Sequence, residues 1–133
     1  MDISNLISFA MYFFTAISLL VIFKFVYVLI TPHDEWKLIK EEQNTAAAIG
    51  LGGAILGFSL ALAGSISNSV SYVDCIIWSV VALAAQSLAF VMVRFIFMPK
   101  IVERIEKNEV SAGIMMAVVN VSVGVLNAAC MTY

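Results

Sequence analysis

Residues 44–64 read Asn44-Thr-Ala-Ala-Ala-Ile-Gly50-Leu-Gly52-Gly53-Ala54-Ile-Leu-Gly57-Phe-Ser59-Leu-Ala61-Leu-Ala-Gly64. Four glycines stand in the eight residues from Gly50 to Gly57. In a water-exposed helix each would cost about 0.8–1.0 kcal/mol relative to alanine. In lipid, small residues are common where helix backbones approach closely. The stretch therefore reads as a transmembrane helix packed against other helices. Asn44 is a good N-cap type, and Glu41 and Glu42 just before it suit a helix N-terminus electrostatically.

Composition extends this reading to the whole chain. The 133 residues are 62% hydrophobic and 12% charged, against about a quarter charged in a soluble domain. A helix crosses a ~30 Å hydrocarbon core with roughly 20 mostly apolar residues. Four such spans fit, at about 6–30, 44–64, 73–98 and 109–131, with connectors at about 31–43 and 99–108. They use most of the chain, so a single transmembrane domain, residues 1–133, is expected. The fold class is all-α, an integral membrane four-helix bundle. Thr31-Pro32 and Pro99 end the first and third spans, because proline disfavours helix in the residue before it.

All seven basic residues sit on one side of this ladder. Lys24, Lys37 and Lys40 cluster around the first connector, and Arg94, Lys100, Arg104 and Lys107 around the third. Retained Lys and Arg mark the cytoplasmic side, so both termini are expected outside and the charged connectors in the cytoplasm. Asp2 precedes the first apolar run and Lys24 comes late in it, the reverse of a cleavable signal peptide. The one-sided charge argues against dual insertion, so the subunits of any oligomer should be parallel. A net charge of −2 gives no reason to expect nucleic acid.

Two halves of the chain share an order of parts. Residues 19–63 and 89–130 each carry a basic residue before phenylalanine (Lys24-Phe25, Arg94-Phe95), then a proline (Pro32, Pro99). A mixed-charge amphipathic stretch follows, and an asparagine (Asn44, Asn108) opens a small-residue helix. Such halves would form two parallel two-helix repeats about an axis along the membrane normal. Any two hairpins with their positive charges inside would also look alike.

The packing signals lie in the second and fourth spans. Gly53, Gly57 and Ala61 make one stripe; Ala46, Gly50 and Ala54 make another. Two faces suggest two neighbours, one in the chain and one in a partner subunit, which favours a homo-oligomer, a dimer first. The fourth span carries Gly113, Ala117, Asn120, Gly124, Asn127 and Met131 on one face. Amides in hydrocarbon need partners. Counted at 1.5 Å per residue, Gln86 and Asn120 lie about 18–20 Å above the cytoplasmic end and Ser59 about 22 Å. Ser59, Gln86 and Asn120, with Asn127 beyond them, thus form a candidate polar layer near the midplane. It would serve as interhelical glue, or as a path for a small solute or ion.

Lys24 and Arg94 are the charges well inside the spans. At about 12 Å and 7 Å from the prolines along a helix, both can snorkel to lipid phosphates. Pairing with Glu103, Glu106 or an anionic ligand is the alternative. Catalytic chemistry finds no constellation: His33 is the sole histidine, and neither a Ser-His-Asp set nor a phosphate loop is present. No metal site and no cofactor are expected. Cys75 and Cys130 are too few for a disulfide framework. They are packed thiols, or one bond in an oxidising compartment.

The stretch Ala46–Ala63, the segment Asn108-Glu-Val-Ser-Ala-Gly-Ile114 and above all the ending Gly124-Val-Leu-Asn-Ala-Ala-Cys-Met-Thr-Tyr133 resemble the YjfL family of small bacterial inner-membrane proteins. The resemblance covers nearly the whole chain. It implies four spans, the inner membrane and a link to membrane maintenance, and it carries over no catalytic residue. The expected function is a non-catalytic membrane subunit or scaffold. It would dock lipid or a cytoplasmic protein partner through residues 33–43 and 100–107. The alternative is a small-solute or ion transporter or channel running past the polar layer.

Overall fold

The computed structural model describes residues 3–30, 35–97 and 99–131. Expectations resting on Asp2, on Thr31, Pro32, His33 and Asp34, and on Met98 lie outside these residues. The described chain is all-α. Helix α1 covers Ile3–Ile30, α2 Glu35–Glu42, α3 Thr45–Asn68, α4 Tyr72–Met92, α5 Ile101–Glu106 and α6 Val110–Ala129. A π-helical turn, Val93–Phe97, prolongs α4. Four helices are long and apolar enough to cross a membrane: α1, α3, α4 with its π turn, and α6. Each half of the chain runs long helix, short helix, long helix.

Helix α3 is the hub. It packs most extensively on α6, then on α4. Ala46 lies at Gly113, Gly53 at Ala117 and Gly64 at Ala128, so α3 and α6 run in the same direction. Helix α1 stands at the edge. Its buried residues are Phe23 and Tyr27, and much of its apolar surface, Phe9, Phe14 and Phe25 included, faces outward. Phe23 stacks on Phe58 with ring centroids 4.6 Å apart, and Tyr27 meets Phe90 edge-on at 6.1 Å. Near the middle of α1, Thr15 Oγ1 and Tyr72 Oη are hydrogen-bonded at 2.6 Å.

Helix α3 extends past the expected end at Gly64 to Asn68. The serine-rich segment stays helical because its polar groups bond within reach. Asn68 Nδ2 donates to Gly64 O at 2.8 Å, and Ser65 Oγ donates to Cys75 O at 3.0 Å. The turn to α4 is short: Ser71 caps α4 by accepting from Asp74 N, and Asp74 accepts from Val70 N. This is the turn end of the bundle; α2 and α5 lie at the opposite, charged end. Pro99 lacks an N–H and its ring crowds the carbonyl four residues back. The last turn before it widens to the π form.

At the charged end the two halves are cross-braced. Asn44 caps α3, its Oδ1 accepting from Ala47 N at 2.9 Å, while its Nδ2 donates to Ile105 O at 2.7 Å. Asn108 does not cap α6 as expected: Glu109 holds that position, without a side-chain cap bond. Asn108 instead takes φ 60°, and its Oδ1 accepts from Ala46 N at 3.0 Å. The tight turn from α5 to α6 needs a left-handed residue, a conformation asparagine tolerates. Gln43, φ 51°, is its counterpart before Asn44. The halves thus correspond one residue away from the asparagine-to-asparagine match.

Candidate functional site

Small residues position the centre of the bundle. A Cβ built on Gly57 would fall 2.7 Å from Gln86 Nε2 and closer still to Asn120 O; one on Gly124 would meet the Gly57 backbone. One on Gly53 would run into Ala117, and one on Gly113 into the Ala46 backbone. Backbone therefore touches backbone along the α3–α6 seam. The second stripe is also covered within the chain. Ala46 and Ala54 are fully buried, and Gly50 faces Met116 and Ile105. The expectation that one of the two stripes meets a partner subunit does not hold for either, because α6 covers the first and α5 and α6 cover the second. Gly52 is the outward glycine, with nothing within 4 Å of a Cβ placed there. It lines a groove of about 420 Å³ with Leu56, Ala117, Val118 and Ser122.

The glycines leave room for an amide seam between α4 and α6. Gln86 Nε2 donates to Asn120 O at 2.7 Å. In the reverse direction Asn127 Nδ2 donates to Ala82 O at 3.2 Å, about one turn along α4 and two along α6. Asn120 Nδ2 donates to Met116 O, one turn back on its own helix, at 2.8 Å. Gln86 and Asn120 are fully buried; Asn127 is half-buried. This arrangement clamps helices. Among the described residues no group of three or more His, Cys, Asp or Glu could hold a metal ion.

The similarity of this chain to known proteins has the same extent as the fold. The family model Domain of Unknown Function (DUF350) matches residues 1–131. The chain belongs to the DUF350 family. The resemblance read from the second and fourth spans is thereby established. The UPF0719 inner membrane protein YjfL of Escherichia coli (strain K12) is 40% identical over 131 residues, covering 98% of each chain. The UPF0719 transmembrane protein YshE of Bacillus subtilis (strain 168) is 29% identical over 127 residues, covering 95% of this chain and 94% of its own. No solved structure matches. With the family and four spanning helices together, this DUF350 chain is an integral membrane protein.

The remaining expected residues are distributed around the DUF350 bundle. Ser59 does not join Gln86 and Asn120. Its hydroxyl donates to Ile55 O at 2.8 Å, and it lines a groove of about 200 Å³ between α1 and α3 with Ala16, Leu20 and Leu62. Its height fits the layer, but its direction around α3 does not. Lys24 follows Phe23, which stacks on Phe58. Phe58 is ten residues from Asn68, the end of α3, or about 15 Å, half a hydrocarbon core. Lys24 lines a groove with Leu20, Val21, Phe25 and Ile55, its Nζ 4.6 Å from the Phe25 ring centroid. Arg94, exposed on the π turn, has Cζ 5.5 Å from the ring centroid of Phe95.

Two features had little signal in the sequence. Ser65, Ser79 and Cys75 form a buried polar cluster near the turn end, with Ser65 Oγ and Ser79 Oγ 2.9 Å apart. The span predicted from sequence stops at residue 64, although Ser65 is spaced like Ala61 on the buried face. Asn44 is the N-cap its sequence position predicts, but the bonds that join the two halves, from Asn44 Nδ2 to Ile105 O and from Ala46 N to Asn108 Oδ1, have no local signal. Both cysteines are free, Cys75 buried and Cys130 exposed.

Proposed function

We propose that the chain is a non-catalytic subunit of the bacterial inner membrane, an oligomeric scaffold for membrane maintenance that docks lipid or a cytoplasmic partner. The observation that carries this reading is the closed packing of α3, α4 and α6. A conducting path along the bundle needs room. Here the glycine positions hold backbone against backbone, and Gln86 and Asn120 are sealed between helices.

The charged end supplies the docking surface. Helices α2 and α5 bury Leu38, Ile101 and Ile105 and expose Lys37, Lys40, Glu103 and Glu106. With Lys100 and Lys107 there and no Lys or Arg in the turn from α3 to α4, this end belongs in the cytoplasm and both termini on the periplasmic side. Lys24 and Arg94 contact lipid or another anion. Copies assemble in parallel, a dimer first, through surface that α3 does not spend inside the chain; the groove at Gly52 is such a surface.

The rival reading is a small-solute or ion path past Ser59, Gln86, Asn120 and Asn127. It requires α3 to part from α6. Flux in liposomes separates the two. A scaffold leaves ion and solute leakage at the level of protein-free vesicles. Saturable or ion-selective flux that Asn120→Leu abolishes would overturn the scaffold.

A further inference from the structure

The amide seam does more than clamp helices. The NH2 groups of Gln86 and Asn120 are pinned on backbone carbonyls, at 2.7 and 2.8 Å. Turning either amide over would set oxygen against oxygen, so the orientation follows from the partners. Gln86 Oε1 and Asn120 Oδ1 then point elsewhere. Both side chains are fully buried, and neither oxygen has a hydrogen-bond partner among the described residues. A buried acceptor without a donor costs about 1–3 kcal/mol, and hydrocarbon supplies no donor. Clamping alone does not require this: Asn127 joins α6 to α4 from a half-buried position.

We propose that Gln86 Oε1 and Asn120 Oδ1 form a binding site for one internal water molecule, which donates a hydrogen to each. The chemistry selects water. Two neutral carbonyl oxygens repel anions. They are too few for a hard cation such as Ca²⁺, which takes about six to eight oxygen ligands. A water has two donors and is held by about two to four polar partners. The fold also indicates the side from which it comes. Toward the turn end the interior holds Asn127 and the Ser65–Ser79 hydroxyl pair. Toward the charged end it holds the buried apolar side chains of Phe90, Val93, Ile101, Ile105 and Met116, with the buried Tyr27 hydroxyl as a polar group among them. The water enters past the serines and stops at the apolar half, so the site is a dead end and is compatible with a non-conducting bundle.

Magic-angle-spinning NMR of the full chain in lipid bilayers tests the site, by transfer of water-proton magnetisation to side-chain carbonyl carbons. Transfer is expected to both Gln86 Cδ and Asn120 Cγ, with exposed Gln43 as the positive control. Absence at either carbon, with Gln43 positive, overturns the site, since a shared water must reach both. Ser79→Val tests the route: it should slow deuterium exchange at the Gln86 amide several-fold. An unchanged rate overturns entry past the serines. Neither readout depends on flux, so the water site and the scaffold reading fail separately.

Discussion

Adding one methyl group at two glycines five residues apart should have opposite consequences. In Gly57→Ala the new Cβ would sit 2.7 Å from Gln86 Nε2 and 2.8 Å from Asn120 C. These atoms belong to α4 and to the α6 backbone, so helices must separate rather than a flexible side chain swing away. Overpacking a tight core costs about 1–3 kcal/mol. Separation also stretches the Gln86-to-Asn120 O bond, worth about 0.6–2 kcal/mol in a membrane. Alanine's better helix propensity returns about 0.8–1.0 kcal/mol, so the expected net loss is about 1–4 kcal/mol if these are taken as additive. In Gly52→Ala the same methyl meets nothing within 4 Å, and alanine forms helix better than glycine by about 0.8–1.0 kcal/mol. That variant should be neutral or more stable. Reversible unfolding of purified protein in mixed micelles, followed by circular dichroism, measures both. Equal stability of the two variants would refute the account of the α3–α6 seam.

Other positions give sharp expectations. Asn44→Ala should cost about 1–2 kcal/mol as a lost cap, plus the bond to Ile105 O, read by the same unfolding assay. Gln43→Gly should stabilise by up to about 1–2 kcal/mol, because φ 51° strains an L side chain; a loss of stability would count against the left-handed turn. In native protein Cys130 should react with a maleimide and Cys75 only after unfolding, followed by mass spectrometry. Impermeant reagent added to whole cells should label cysteines placed at either terminus and spare those placed in α2; the reverse pattern would invert the orientation.

Much of the candidate site was legible as height. Rise along a helix is set by covalent geometry at about 1.5 Å per residue. Counting from the helix ends was therefore enough to bring Gln86 and Asn120 to one level, and they do meet. Direction around the helix was not legible. Ser59 has the right height and faces the α1–α3 groove, because side-chain direction matters only relative to neighbours that the sequence does not place.

The glycine-rich helix, the four apolar spans and the one-sided basic residues follow from the chain alone. Transfer of side chains between water and lipid is a local property, summed residue by residue. Which surfaces the glycines join is not local. The stripe of Ala46, Gly50 and Ala54 was free to face a second subunit until α5 and α6 folded over it. Asn108 was free to cap its own helix until the two hairpins met and it turned to Ala46, whereas Asn44 keeps its cap and adds a bond to Ile105 O. Close approach in lipid is rewarded by contact with whichever backbone arrives, so the tertiary structure alone decided the partners.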